Sequence, residues 1–182
     1  MTAWLRRHHA LNAAALGIAA VSCFSASALA AEEFESHHAH EHGVAALNVA
    51  IEGKRVDIGI DTPAINVIGF EHQPRTAAEQ AAVKKADAAL HDVTRLFVFT
   101  PAAACHSTRM QVHSPQWPST SEHADYEASY SFDCDKPDAL TSIDMPLVNE
   151  MAAGTKLRVQ LTSATKQDAA ELTRGNSTLH LR

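Results

Sequence analysis

Ala45-Ala46-Leu47-Asn48-Val49-Ala50-Ile51-Glu52-Gly53-Lys54-Arg55-Val56-Asp57-Ile58-Gly59-Ile60-Asp61 is the stretch on which the fold class turns. Ala45, Leu47, Val49 and Ile51 alternate with Ala46, Asn48, Ala50 and Glu52. Beyond Gly53-Lys54, Val56, Ile58 and Ile60 alternate with Asp57, Gly59 and Asp61. Side chains of an extended chain point to opposite faces in turn, so a period of two buries one face and wets the other. Two such runs joined by a short Gly-containing turn predict a half-buried β-hairpin, which Pro63 ends.

Downstream the period changes. Thr76-Ala77-Ala78-Glu79 has the spacing of a helix capping box, two residues after Pro74, and Val83, Ala86, Leu90 and Val93 follow at helical intervals. One main α-helix is expected, at about residues 76–92. Leu96 to Phe99, Thr108 to His113, Tyr126 to Cys134, Thr155 to Thr162 and Asp168 to Leu172 read as further strands, with a short last one at Leu179 and Leu181. The expected fold class is α+β, a mainly antiparallel β-sheet with one main α-helix. Breaks fall in the Pro/Ser-rich stretch from Ser114 to Ser121 and at Ala152-Ala153-Gly154.

Before the hairpin the chain has a different character. Arg6 and Arg7, the apolar run from Ala10 to Phe24 and the small-x-small site Ala28-Leu29-Ala30 form a secretory signal peptide over residues 1–30, cut after Ala30 or Ala31. The apolar run is short for a bilayer span, so no stable membrane insertion is expected. A retained anchor, or a lipoprotein acylated at Cys23 in Ala20-Val21-Ser22-Cys23, are the alternatives. Residues 31–43 form a His-rich arm and residues 44–182 a single domain. Of the 3 cysteines, Cys23 leaves with the leader. Cys105 and Cys134 are then expected to form a disulfide in an oxidising compartment. Their rival reading is a pair of thiolate metal ligands, although they lack a close C-x-x-C spacing.

The composition is that of a folded chain: 182 residues, 46% hydrophobic, 20% charged. A formal charge of −6 without a basic stripe argues against nucleic acid as a partner. The outlier is histidine, 12 residues, with His37, His38, His40 and His42 crowded together in the arm. Neutral imidazole is the commonest metal ligand near pH 7. If His40-Glu41-His42 enters the first strand extended, the rings of His40 and His42 share a face and can reach one ion. His72 in Gly69-Phe70-Glu71-His72 and His123 in His123-Ala124-Asp125 are the candidate further ligands. Glu71 and Asp125 could bind the ion or orient a liganding ring, and His37 and His38 could assist. His91, at the helix end, is expected to meet the last carbonyls, and His106, His113 and His180 to be ordinary strand or surface residues.

His40-Glu41-His42-Gly43-Val44-Ala45, Gly69-Phe70-Glu71-His72-Gln73-Pro74, and His123-Ala124-Asp125-Tyr126 ahead of Cys134 together resemble the ZrgA family of bacterial periplasmic zinc-binding proteins. The resemblance covers nearly the whole mature chain. It implies a zinc-responsive periplasmic protein that assists high-affinity zinc uptake beside a zinc ABC importer or its solute-binding protein, and it supports His40, His42, His72 and His123 as the metal positions. Many family members carry a long His/Asp-rich loop where this chain has only Pro115 to Glu122, so one ordered site is expected rather than high-capacity loading.

Scattered Met110, Met145 and Met151 argue against Cu(I). Zn(II) is the expected cargo, while Cu(II), Ni(II) and Co(II) suit the same donors. The functional expectation is a binding protein and not an enzyme. A zinc-dependent hydrolase is the weaker alternative, since the chain has neither a His-Glu-x-x-His nor a Gly-x-Ser-x-Gly motif. An envelope protein with a structural metal site is the other.

Overall fold

The computed structural model describes residues 41–117 and 124–181. The leader with its Cys23, and His37, His38, His40 and His123, lie outside the described residues. The hairpin forms as its alternation requires: β1 (Val44–Glu52) runs antiparallel to β2 (Arg55–Pro63), with Leu47 opposite Ile60 and Ile51 opposite Val56. It is the centre of a six-stranded sheet completed by β4 (Cys105–His113), β5 (Asp125–Cys134), β7 (Lys156–Ser163) and β8 (Gln167–Leu172), in the order β4-β5-β2-β1-β7-β8. Every neighbouring pair is antiparallel except β1 and β7. A small second sheet joins β3 (Val98–Phe99), β6 (Ser142–Asp144) and β9 (Thr178–His180). The fold is α+β and mainly antiparallel, as expected.

One face of the large sheet is apolar. Leu47, Val49, Ile58, Ile60, Tyr130, Val159 and Leu161 are buried there, each large aliphatic side chain contributing about 1.5–3 kcal/mol by leaving water. Helix α2 (Ala77–Leu90) adds Ala86 and Leu90 to the same core, and Tyr130 donates its hydroxyl to Leu90 O at 2.8 Å. Asn48, Ala50, Glu127, Ser129 and Gln160 on the other face are exposed. Cys105 and Cys134 stand opposite each other in the β4–β5 ladder and are disulfide-bonded, not metal ligands.

The capping box of α2 is complete: Thr76 Oγ1 accepts the Glu79 N–H, and Glu79 accepts the Thr76 N–H. The helix stops earlier than expected. His91 ends it, and Asp92 begins a separate four-residue helix, α3 (Val93–Leu96), with Thr94 Oγ1 donating to the Asp92 carboxylate at 2.7 Å. Val93 therefore does not extend the stripe of α2, and the strand expected from Leu96 is reduced to β3. Two short helices carried no periodic pattern: α1 (Ala64–Ile68), directly after β2, and α4 (Leu147–Glu150). Among the described residues no helix is long and apolar enough to cross a membrane.

Candidate metal centre

The first histidine segment does not run straight into β1. Val44 N–H donates to Glu41 O at 3.1 Å, and Gly43 takes φ 85°, a left-handed conformation that suits glycine. Residues 41–44 thus form a turn, with His42 on it. His42 therefore lies on a turn that precedes the first residue of β1 rather than within the strand, and its expected partner His40 lies outside the described residues. The Glu41 carboxylate turns to β7, where Oε2 lies 2.9 Å from the Arg158 guanidinium.

His42 reaches the second motif. Its Nε2 is 3.3 Å from Glu71 Oε2, with the His42 side chain 58% exposed and that of Glu71 19%. The carboxylate is shielded while the ring stays open to solvent. Glu71 arrives there because α1 closes at Gly69, whose φ of 87° and N–H to Ile65 O redirect the chain into Phe70-Glu71-His72.

His72 leans toward α2. Its Nδ1 is 3.2 Å from Gln73 O and its Nε2 3.8 Å from Glu79 Oε1, and its ring stacks on Phe70 with centroids 5.0 Å apart. Phe70 in turn stacks on Trp117 at 6.1 Å. Glu79 is itself held: backbone N–H groups of Thr76 and Arg75 donate to its carboxylate and keep its pKa below the ordinary range.

The third motif meets the same short helix. Ala64 N–H at the start of α1 donates to Ala124 O at 2.7 Å, and Asp125 pairs with Pro63 across the β5–β2 ladder. Helix α1 therefore touches all three segments: Ala124 at its first residue, Glu71 beyond its last, and the His42 turn through Asn66. Among the described residues no three His, Cys, Asp or Glu side chains come together in a set that could hold an ion. The structure joins His42 to Glu71 and sets His72 beside Glu79.

Asn66, Phe70 and Trp117 went unremarked as site residues. Only Phe70 lay inside a motif, and a five-residue helix offers no period by which Asn66 could be noticed. The remaining histidines sit as expected: His91 Nδ1 is 2.7 Å from Asp87 O near the end of α2, and His106, His113 and His180 are exposed on strands.

The model of the ZrgA family of zinc uptake proteins matches residues 39–181, a span that includes all three segments. The chain belongs to the ZrgA family. The matched span takes in His40, His42, His72 and His123 and begins after His37 and His38. ZrgA is a zinc uptake family and not a known enzyme family. A search of curated proteins finds no match.

Proposed function

We propose that this ZrgA family member is exported to the periplasm, captures Zn(II) through His40, His42, His72 and His123, and passes it toward a zinc ABC importer or its solute-binding protein. The observation that carries the reading is the 3.3 Å approach of His42 Nε2 to Glu71 Oε2, which joins two sequence motifs beside the helix that also holds Ala124. A neutral imidazole beside a carboxylate supplies a nitrogen donor together with negative charge, a pairing suited to Zn(II) and to Cu(II), Ni(II) or Co(II) when those are available. Glu71 and Asp125 serve as oxygen donors or orient the rings, and His37 and His38 in the arm assist capture.

The solvent-open His42 ring favours cargo over a structural ion, because an exposed ligand lets metal exchange. The buried core, which runs from the large sheet through α1, α2 and α4, is built of apolar side chains and does not include His42, which supports folding without an ion there. The test is a calorimetric titration of exported, disulfide-bonded, metal-free protein with a zinc salt. Micromolar or tighter binding with little change in circular dichroism is expected, and His42→Ala should weaken it about 10- to 100-fold. Indifference to zinc would end this reading, an unfolded apo form would return the structural-metal alternative, and zinc-dependent ester or phosphate hydrolysis would return the enzyme.

A further inference from the structure

Asn66 is a polar side chain in a place that sequence gives no reason to mark, on the five-residue helix α1 and only 2% exposed. Its side chain has four hydrogen-bonding partners: Oδ1 accepts Gly43 N–H at 2.6 Å, and the two Nδ2 hydrogens are shared among Glu41 O at 3.2 Å, Val44 O at 2.8 Å and Thr62 Oγ1 at 3.1 Å. Three of these partners are backbone groups of the turn that carries His42. The main chain of the same residue is also engaged, its carbonyl accepting Ala152 N–H at 2.7 Å and the Thr155 hydroxyl at 3.2 Å. The amide thus sits between a fixed framework and an otherwise exposed turn.

A buried amide meets its hydrogen-bonding needs only when its partners keep one arrangement, and breaking that arrangement leaves polar groups unsatisfied away from water. The turn from Glu41 to Val44 is therefore not free to choose its shape. Its conformation fixes where the His42 Cα lies, and so whether the ring can stand beside Glu71. A metal ligand held before the ion arrives costs less ordering on binding than one that must be fixed by it.

We propose that Asn66 is the positioning residue of the metal centre: through the backbone of Gly43, Glu41 and Val44 it presets His42 against Glu71 for capture of a divalent cation. This rests on the proposed role of His42 as a zinc ligand. Asn66 touches no ion itself. It also explains why Gly43 matters, since the positive φ there is what brings the Gly43 N–H onto Asn66 Oδ1 while the chain turns into β1.

The test compares four single variants and one double variant of the full oxidised chain by zinc calorimetry and thermal melting. Asn66→Ala is expected to bind zinc about 10- to 100-fold more weakly, the range typical when a group that orients a metal ligand is removed. Leu172→Ala, which opens the core under β8, lowers the melting temperature without touching the turn and should leave zinc affinity unchanged. Gly43→Val is the second route should Asn66→Ala not fold: no atom lies within 4 Å of the added Cβ, so the core is spared while the left-handed turn is disfavoured. It should weaken zinc binding as Asn66→Ala does. His42→Ala supplies the reference, and adding Asn66→Ala to it should weaken binding no further. If His42→Ala weakens binding but Gly43→Val and folded Asn66→Ala bind like wild type, the positioning role is overturned and the metal reading stands. If His42→Ala itself binds like wild type, the proposed ligand falls, and the positioning role falls with it.

Discussion

Glu71 places a carboxylate beside an imidazole that is itself largely in water, and the two differ in what they bring to a cation. The ring offers a lone pair. The carboxylate offers charge, and because its side chain is more shielded than that of His42 its field is less screened. Glu71→Gln keeps the shape and removes the charge, so it should weaken zinc binding about tenfold with a melting temperature close to wild type. Calorimetry would check it, and an unchanged affinity would remove Glu71 from the centre. At this scale sequence was a partial guide. Glu71 and His42 could be singled out because acid and imidazole stand in short, chemically loaded motifs. Asn66 could not, because its importance lies in what its amide touches and a lone asparagine after Pro63-Ala64-Ile65 looks like any other. The turn at His42 and Gly43 could not be read from the sequence for a related reason: glycine permits a reversal without requiring one.

The hairpin of β4 and β5 shows how an element can serve stability and site separately. Its open end is held by the Cys105–Cys134 bridge, and its other end leads from His113 to Ala124 and Asp125, which abut α1 and β2. The bridge spans a sequence separation of 29, for which loop-closure entropy gives roughly 3–4 kcal/mol. Replacing both cysteines by serine should therefore lower unfolding free energy by up to about that amount in urea. Zinc affinity of the folded fraction should stay within about twofold, since binding is linked to the native state and not to the bridge. A large loss of affinity at constant fold would show that the bridge shapes the centre. The long strands here could be read directly, because β5 buries Tyr126, Ala128, Tyr130 and Phe132 at alternate positions, with Ser131 the one intervening residue that is also buried. A three-residue strand such as β6 has no room to show a period, and no periodicity states that β1 takes β7 as a parallel partner.

Over the whole molecule, two kinds of titration are separated in pH. The carboxylates that support the fold are held below their ordinary values: Asp133 by its hydrogen bond to Lys54 at 2.8 Å, Asp168 by Lys166 at 2.8 Å, and Glu79 by the backbone N–H groups of the α2 cap. A carboxyl whose folded pKa is depressed stabilises the fold in full above its unfolded value, about 4, and this support is lost only as pH falls through that value toward the folded one. A proton on an imidazole occupies the lone pair that would bind the ion. Zinc should therefore leave before the fold weakens: between pH 7.5 and pH 5, affinity is expected to fall by about tenfold or more as protons compete for the imidazole lone pairs, while near-UV circular dichroism of the apo protein stays unchanged. Titrations at the two pH values with parallel spectra decide it. A flat affinity would mean oxygen ligands alone, and loss of native spectrum together with zinc at pH 5 would tie the ion to the integrity of the fold. A protein that releases its cargo while remaining folded can be loaded again, which is what repeated capture and transfer demand and a structural ion does not.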